Sequence, residues 1–148
     1  MNLQNSFIGK AFYLPIAIGI ILLLTTLKKP LNMSSLVKEF NDYCSRMNEV
    51  ILGKNNLVMK RLWNLDTNTY ENGALDTKTK EMLGLVASIV LRCDDCIKYH
   101  LGKCHELGIT TAQLYEIFAV ANIVGGTIVI PHTRRAAEYW EELSSNVQ

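Results

Sequence analysis

The residues with most chemistry to offer lie together in Arg92-Cys93-Asp94-Asp95-Cys96-Ile97-Lys98-Tyr99-His100. Two cysteines stand three positions apart, and a histidine follows the second by four. On a helix, spacings of three and four bring side chains onto one face. Cys96 and His100 are then neighbours, with Cys93 at the helix start. A thiol beside an imidazole can lose its proton near neutral pH, and the thiolate is the reactive form. A second thiol within reach can close a disulfide. That is the minimum equipment for thiol redox chemistry.

Two other readings compete. A C-x-x-C pair is often half of a zinc site, which makes Cys93, Cys96, His100 and Cys104 candidate ligands. On a continuing helix Cys104 lies eight residues past Cys96, about 12 Å along the axis at ~1.5 Å per residue. Tetrahedral zinc holds its donors at about 2.0–2.3 Å, which one straight helix cannot supply from that set. A zinc site would need His105, His132 or another subunit, and no metal is expected. In the second reading the cysteines are simply unrelated core residues.

The elements that position these groups read as helices. Asp94 and Asp95 suit a first turn, where carboxylates cap free N–H groups and meet the positive dipole end. A helix start also lowers a cysteine pKa, and Arg92 adds positive charge, while the two aspartates oppose both. The helix runs from Cys96 to Leu107 and stops at Gly108. Thr110 with Gln113 forms a capping box that opens the next helix, Thr111 to Val124, with Leu114, Ile117, Phe118 and Ala121 as its apolar stripe. Upstream, Asp76 or Thr77 caps a helix from Lys78 to Leu91. Leu83, Val86, Ala87 and Val90 recur on it at helical spacing, and Leu85, Ile89 and Leu91 widen the apolar face until it nearly encircles the helix, predicting burial. Glu81 sits in its first turn, where a glutamate ordinarily makes only a favourable dipole contact. Val37 to Leu52 and Asn56 to Leu65 read as two more helices, and Asp66 to Asp76 as a loop. Thr127-Ile128-Val129-Ile130 alone suggests a strand, but no partner strand is evident. Tyr139 and Trp140 read as core or subunit contact, and His105 and His132 as structural.

The run from Glu81-Met82-Leu83-Gly84-Leu85-Val86-Ala87-Ser88 through Cys93-Asp94-Asp95-Cys96 to His100, then Gly108-Ile109-Thr110, resembles the carboxymuconolactone decarboxylase / alkylhydroperoxidase D-like family. Gly125-Gly126 and Pro131-His132-Thr133-Arg134-Arg135-Ala136 are similar to its small single-domain members. The resemblance covers about residues 34–143. It implies an all-α helical bundle, oligomeric as a trimer or hexamer, and places Thr127–Ile130 in a helix carried on through Leu143. In the peroxidase branch the matching glutamate and histidine relay protons to the cysteine pair. Carried over, that makes Cys96, Cys93, His100 and Glu81 the catalytic set, and Cys96 is read as the attacking thiol because it alone of the pair stands four residues from His100. This chain has Asp95 where that pattern often carries a further histidine. The implied activity is thiol-dependent peroxide reduction, with no cofactor. Its partners are a peroxide and an external dithiol of lipoyl or thioredoxin type. The alternatives are a lactone decarboxylase-type lyase and a disulfide reductase or redox sensor. On one straight helix Glu81 would lie about 18 Å from Cys93, so a relay requires the chain to reverse near Arg92–Asp95.

The whole chain has 148 residues, 49% hydrophobic, with net charge +1. That bounds one domain with a sizeable core, and near-neutral charge without a basic run gives no support for nucleic-acid binding. There is no Gly-rich phosphate loop, no G-x-S-x-G and no internal repeat. Clustered cysteines, with Cys44 isolated, fit a reducing compartment. Residues 1–33 form a separate hydrophobic segment ahead of a domain at 34–148. Within it Ala11 to Leu27 is free of charge and followed by Lys28-Lys29-Pro30. At ~1.5 Å per residue it reaches roughly 25 Å, slightly short of a ~30 Å hydrocarbon core. It reads either as an anchor with the domain facing the cytoplasm or as residues upstream of a true start at Met33. The second is the preferred expectation, and both leave the cysteines in a reducing cytoplasm.

Overall fold

The computed structural model describes residues 35–145, which fold as an all-α bundle. Six α-helices stand among them: α1 Leu36–Gly53, α2 Leu57–Thr69, α3 Thr77–Leu91, α4 Asp94–Glu106, α5 Thr111–Gly125 and α6 Ile130–Ser145. A 3₁₀ turn, Thr127–Val129, joins the last two. The helix starts are chemically marked. The side chains of Ser35, Asn56 and Asp76 each accept a backbone N–H three residues on. Thr110 and Gln113 make the full reciprocal capping box. Each such cap satisfies a donor the helix leaves unpaired and is worth about 1 kcal/mol.

Tertiary packing settles what local pattern leaves open. The core joins Leu85 and Ile89 of α3, Ile97, Leu101 and Cys104 of α4, and Leu114, Ile117, Phe118 and Ala121 of α5 to Tyr139 and Trp140 of α6. Full burial of large side chains such as these contributes about 1.5–3 kcal/mol each. Trp140 donates its indole N–H to Thr111 Oγ1 at 3.1 Å, so its one polar atom is satisfied inside. Phe40 brings α1 onto this core, edge-on to Tyr139 at 6.1 Å. The start of α1 is held from α6, where Glu142 accepts from the N–H groups of Leu36 and Val37 at 3.0 and 3.2 Å and bonds the Ser35 hydroxyl.

Three expectations about elements need correction. Helix α2 runs on to Thr69 rather than ending at Leu65. Thr67 and Thr69 turn their hydroxyls back onto the carbonyls of Trp63 and Leu65, at 3.1 and 2.8 Å, so these polar residues join the helix instead of breaking it. Helix α3 is not buried all round: Leu83 is 56% and Leu91 75% exposed, and its inner face is Glu81, Leu85, Ser88 and Ile89. Two of these four inward residues are polar, so apolar spacing alone does not pick this face out. The 127–130 segment does not continue as one α-helix. Gly126, at φ 73°, breaks the chain after α5, and the 3₁₀ turn re-aims it into α6.

Residues 11–27 and the proposed start at Met33 lie outside the described residues. Among the described residues no helix is long and apolar enough to cross a membrane.

Candidate functional site

Helices α3 and α4 are joined by a tight reversal. Arg92 takes the left-handed conformation at φ 62°, and Cys93 N–H bonds back to Ser88 O at 3.1 Å. A non-glycine residue in this region costs roughly 1–2 kcal/mol, so packing on both sides holds the turn. It doubles the chain back, as a contact between Glu81 and the C-x-x-C helix requires.

Cys93 and Cys96 are joined in a disulfide, with Cα atoms 5.3 Å apart. This replaces the reading of two unrelated core cysteines. Cys93, rather than an aspartate, is the N-cap of α4, and its sulfur accepts the Cys96 N–H at 3.4 Å. A sulfur there faces the positive end of the helix, which favours its thiolate once the bond opens. Cys93 is half-buried, while Cys96 is exposed and lies on the wall of a cavity.

Glu81 and His100 meet inside the protein. The Glu81 side chain is 3% and that of His100 9% exposed, and His100 Nδ1 lies 2.7 Å from Glu81 Oε2. With the carboxylate accepting, the ring hydrogen sits on Nδ1, leaving Nε2 as the nitrogen able to accept a proton. Its other neighbour is the Tyr70 hydroxyl at 3.5 Å, the outer limit of a hydrogen bond. His100 lies one helical turn beyond Cys96, and both line the cavity.

Gly84 makes this arrangement sterically possible. A Cβ there would stand 2.6 Å from His100 Cε1 and 2.8 Å from the Tyr70 hydroxyl. The imidazole therefore lies directly over the backbone of α3. Neither Gly84 nor Tyr70 is marked in the sequence as a site residue. The available signal is a glycine inside a helical pattern, which costs about 1 kcal/mol and asks for a packing reason.

The two aspartates have different surroundings. Asp94 lies 2.7 Å from His132 Nδ1 and accepts from Arg135 Nε at 3.1 Å. Burial works to raise its carboxyl, but the bonds to His132 and Arg135 outweigh this and hold it below the ordinary carboxylate range. Its charge is thus engaged by α6. Arg135 Nη2 also approaches His132 Nδ1 at 2.9 Å, so that nitrogen serves one partner at a time. Asp95 is exposed on the cavity wall, 3.8 Å from Lys98.

The other candidates lie apart from the disulfide. Cys104 is fully buried in the core, and burial pushes its thiol up to about 12. His105 packs edge-on to Trp140 at 5.3 Å. Among the described residues no group of three or more His, Cys, Asp or Glu could hold a metal ion. Cys44, isolated in sequence, is instead on the wall of the same cavity as Cys96. Its thiol is raised first by burial and then by the charge of Asp95, with Lys98 opposing.

Comparison with known proteins agrees with this fold. The carboxymuconolactone decarboxylase family profile matches residues 56–139. Two crystal structures of a Thermotoga maritima protein are similar, one at 49% identity over 73% of this chain and 95% of that one, with a TM-score of 0.71. The other, at 48% identity, covers 72% and 91% with a TM-score of 0.69. It is described as a carboxymuconolactone decarboxylase family protein for which involvement in an antioxidative response is suggested. A Legionella pneumophila member solved in its apo form shares the fold, at 24% identity over 75% of this chain and 99% of that one, with a TM-score of 0.69. An uncharacterized Cupriavidus necator protein is 25% identical over 75 residues, which are 51% of this chain and just under two thirds, 66%, of that protein.

Proposed function

The chain belongs to the carboxymuconolactone decarboxylase family, and we propose that it is a thiol-dependent peroxidase of the alkylhydroperoxidase type. One observation carries this reading: His100, held from behind by the buried Glu81, lines the same cavity as Cys96 of the C-x-x-C disulfide. In the reduced enzyme His100 Nε2 takes the Cys96 proton, with Glu81 holding the ring and offsetting its charge. The Cys96 thiolate attacks the distal peroxide oxygen. The O–O bond breaks, an S–O bond forms, and the alcohol leaves with the proton returned by His100. Cys93 then attacks the sulfenic acid, closing the S–S bond and expelling water. One thiolate of an external dithiol of lipoyl or thioredoxin type attacks the exposed Cys96, with Cys93 leaving as the helix-capped thiolate. The second thiolate of the dithiol then closes its own disulfide and releases Cys96, supplying two electrons in all. A stabilised thiolate is the faster leaving group.

The setting is a reducing compartment such as the cytoplasm. The exposed apolar residues Ile123, at 87%, and Val124, at 66%, support a homo-oligomer, expected as a trimer or hexamer. A disulfide reductase would use the same cysteines. Peroxide consumption by purified protein, with and without dihydrolipoamide, separates the two. Cys96→Ser abolishes turnover, and Cys93→Ser leaves a sulfenic acid at Cys96 that dimedone labels. Dimedone on Cys93 in an active Cys96→Ser protein reverses the roles, and absence of peroxide consumption by the reduced wild type rules the peroxidase out.

A further inference from the structure

The cavity is far larger than the smallest peroxide requires. It holds about 540 Å³, within the usual range for small-molecule sites and many times the ~30 Å³ of one water. Its apolar wall comes from three helices: Phe40 of α1, Leu62 and Trp63 of α2, and Tyr99 of α4. These surfaces suit a substrate with a hydrocarbon or aromatic body, placed beside Cys96 and His100.

The charge on the wall has one sign. Asp66 of α2 and Asp95 of α4 line the cavity, while no lysine or arginine does. Lys98, which is not among the lining residues, lies beside Asp95 at 3.8 Å and stands over the Phe40 ring at 5.3 Å, partly offsetting that carboxylate. Asp66 has no ion-pair partner among the described residues. The phenol of Tyr99 registers this field, being raised by burial first and then by Glu81 and Asp66 against an opposing Lys103.

We propose that this cavity selects hydroperoxides with an apolar, aromatic-sized body and no negative charge, with Asp66 and Asp95 disfavouring anionic substrates. The proposal rests on the peroxidase reading and deepens it by naming the substrate class. A carboxylate on the body would be brought beside two like charges, and because Asp66 and Asp95 are both exposed the repulsion acts through solvent and is weakened by salt. An uncharged body of the same shape keeps the contacts with Trp63 and Tyr99 and avoids the repulsion.

The test compares cumene hydroperoxide with its para-carboxylate, with hydrogen peroxide as reference, using the full chain and dihydrolipoamide. The neutral compound is expected to have a kcat/KM at least about tenfold above the carboxylate at low ionic strength. The ratio narrows in high salt as the carboxylates are screened. In the Asp66→Asn, Asp95→Asn double variant it falls to within about twofold of unity. Trp63→Ala lowers the ratio of cumene hydroperoxide to hydrogen peroxide turnover. Equal turnover of the two aromatic compounds, or a ratio that ignores both salt and the double variant, overturns the charge selection while hydrogen peroxide turnover keeps the peroxidase standing. Loss of all three activities in the reduced wild type sinks the peroxidase reading and this proposal with it.

Discussion

Replacing Gly84 with alanine tests the site with one methyl group. The new Cβ would stand 2.6 Å from His100 Cε1, whereas carbon atoms in good contact lie about 3.5–4.0 Å apart. The imidazole must therefore retreat by roughly 1 Å, and its 2.7 Å bond to Glu81 stretches past the useful limit of about 3.2–3.5 Å. A 1 Å misplacement of a reacting group can cost about 10²-fold in rate. Stability moves less. Overpacking costs about 1–3 kcal/mol, and exchanging glycine for alanine inside a helix returns about 1 kcal/mol. Gly102→Ala in α4 is the control, because its added Cβ meets nothing within 4 Å; it should gain up to about 1 kcal/mol and keep full turnover. The assays are peroxide turnover with a dithiol, thermal melting, and the pH dependence of Cys96 alkylation in the reduced protein. The last does not depend on which substrate is natural. Wild-type turnover in Gly84→Ala, with an unchanged alkylation profile, would refute the argument that His100 must lie against α3.

Glu81→Gln and His100→Ala should each lower turnover by about 10²–10⁴-fold, with the double variant little worse than the poorer single, because the two act as a unit; full additivity on the free-energy scale would separate them. Alkylation of the reduced folded protein at neutral pH should reach Cys96 and Cys93 long before Cys104, whose buried thiol is held at about 12; early labelling of Cys104 would contradict its place in the core. Glu142→Gln should cost about 1 kcal/mol, the value of a helix cap. The bonds from Ser35, Val37 and Leu36 outweigh burial and lower the Glu142 pKa. Its stabilising contribution is thus full above the ordinary glutamate pKa of about 4.3 and fades as pH falls through the lower folded value. Wild-type and variant melting curves should converge in acid, and a constant gap down to strongly acidic pH would rule the linkage out.

What the sequence discloses follows from the range of each signal. Ser35, Asn56, Asp76 and the Thr110–Gln113 box act within one turn, so the helix starts are legible without any knowledge of neighbours. Leu114, Ile117, Phe118 and Ala121 are legible because they recur at helical spacing along α5, and all four are buried, while Val120, Ile123 and Val124 of the same helix stand exposed. On α3 the same reasoning picks Leu83, which lies outside, because the inward face carries the polar Glu81 and Ser88 beside Leu85 and Ile89. Glu81 reads locally as a dipole contact; its true partner is nineteen positions away across the Arg92 turn. Only the family resemblance joins the two from sequence. Cys44 and Tyr70 carry no motif, and Gly84 shows only as a glycine inside a helical pattern, with nothing to name its partner. Their places depend on how α1, the end of α2, α3 and α4 come together, which no local spacing encodes.

Helix α2 contributes Leu62, Trp63 and Asp66 to the cavity, yet none of its thirteen residues is buried. In terms of opening free energies, it belongs to the low end of the molecule, where few apolar contacts must be broken. Helices α3 and α4 share the buried core and belong to the high end. The cavity therefore has one soft wall and one firm wall. Opening along α2 breaks few buried contacts, while the Glu81–His100 pair on the firm side is held within the core. Amide hydrogen exchange should accordingly be fast along α2 and slow around Leu85 and Leu101.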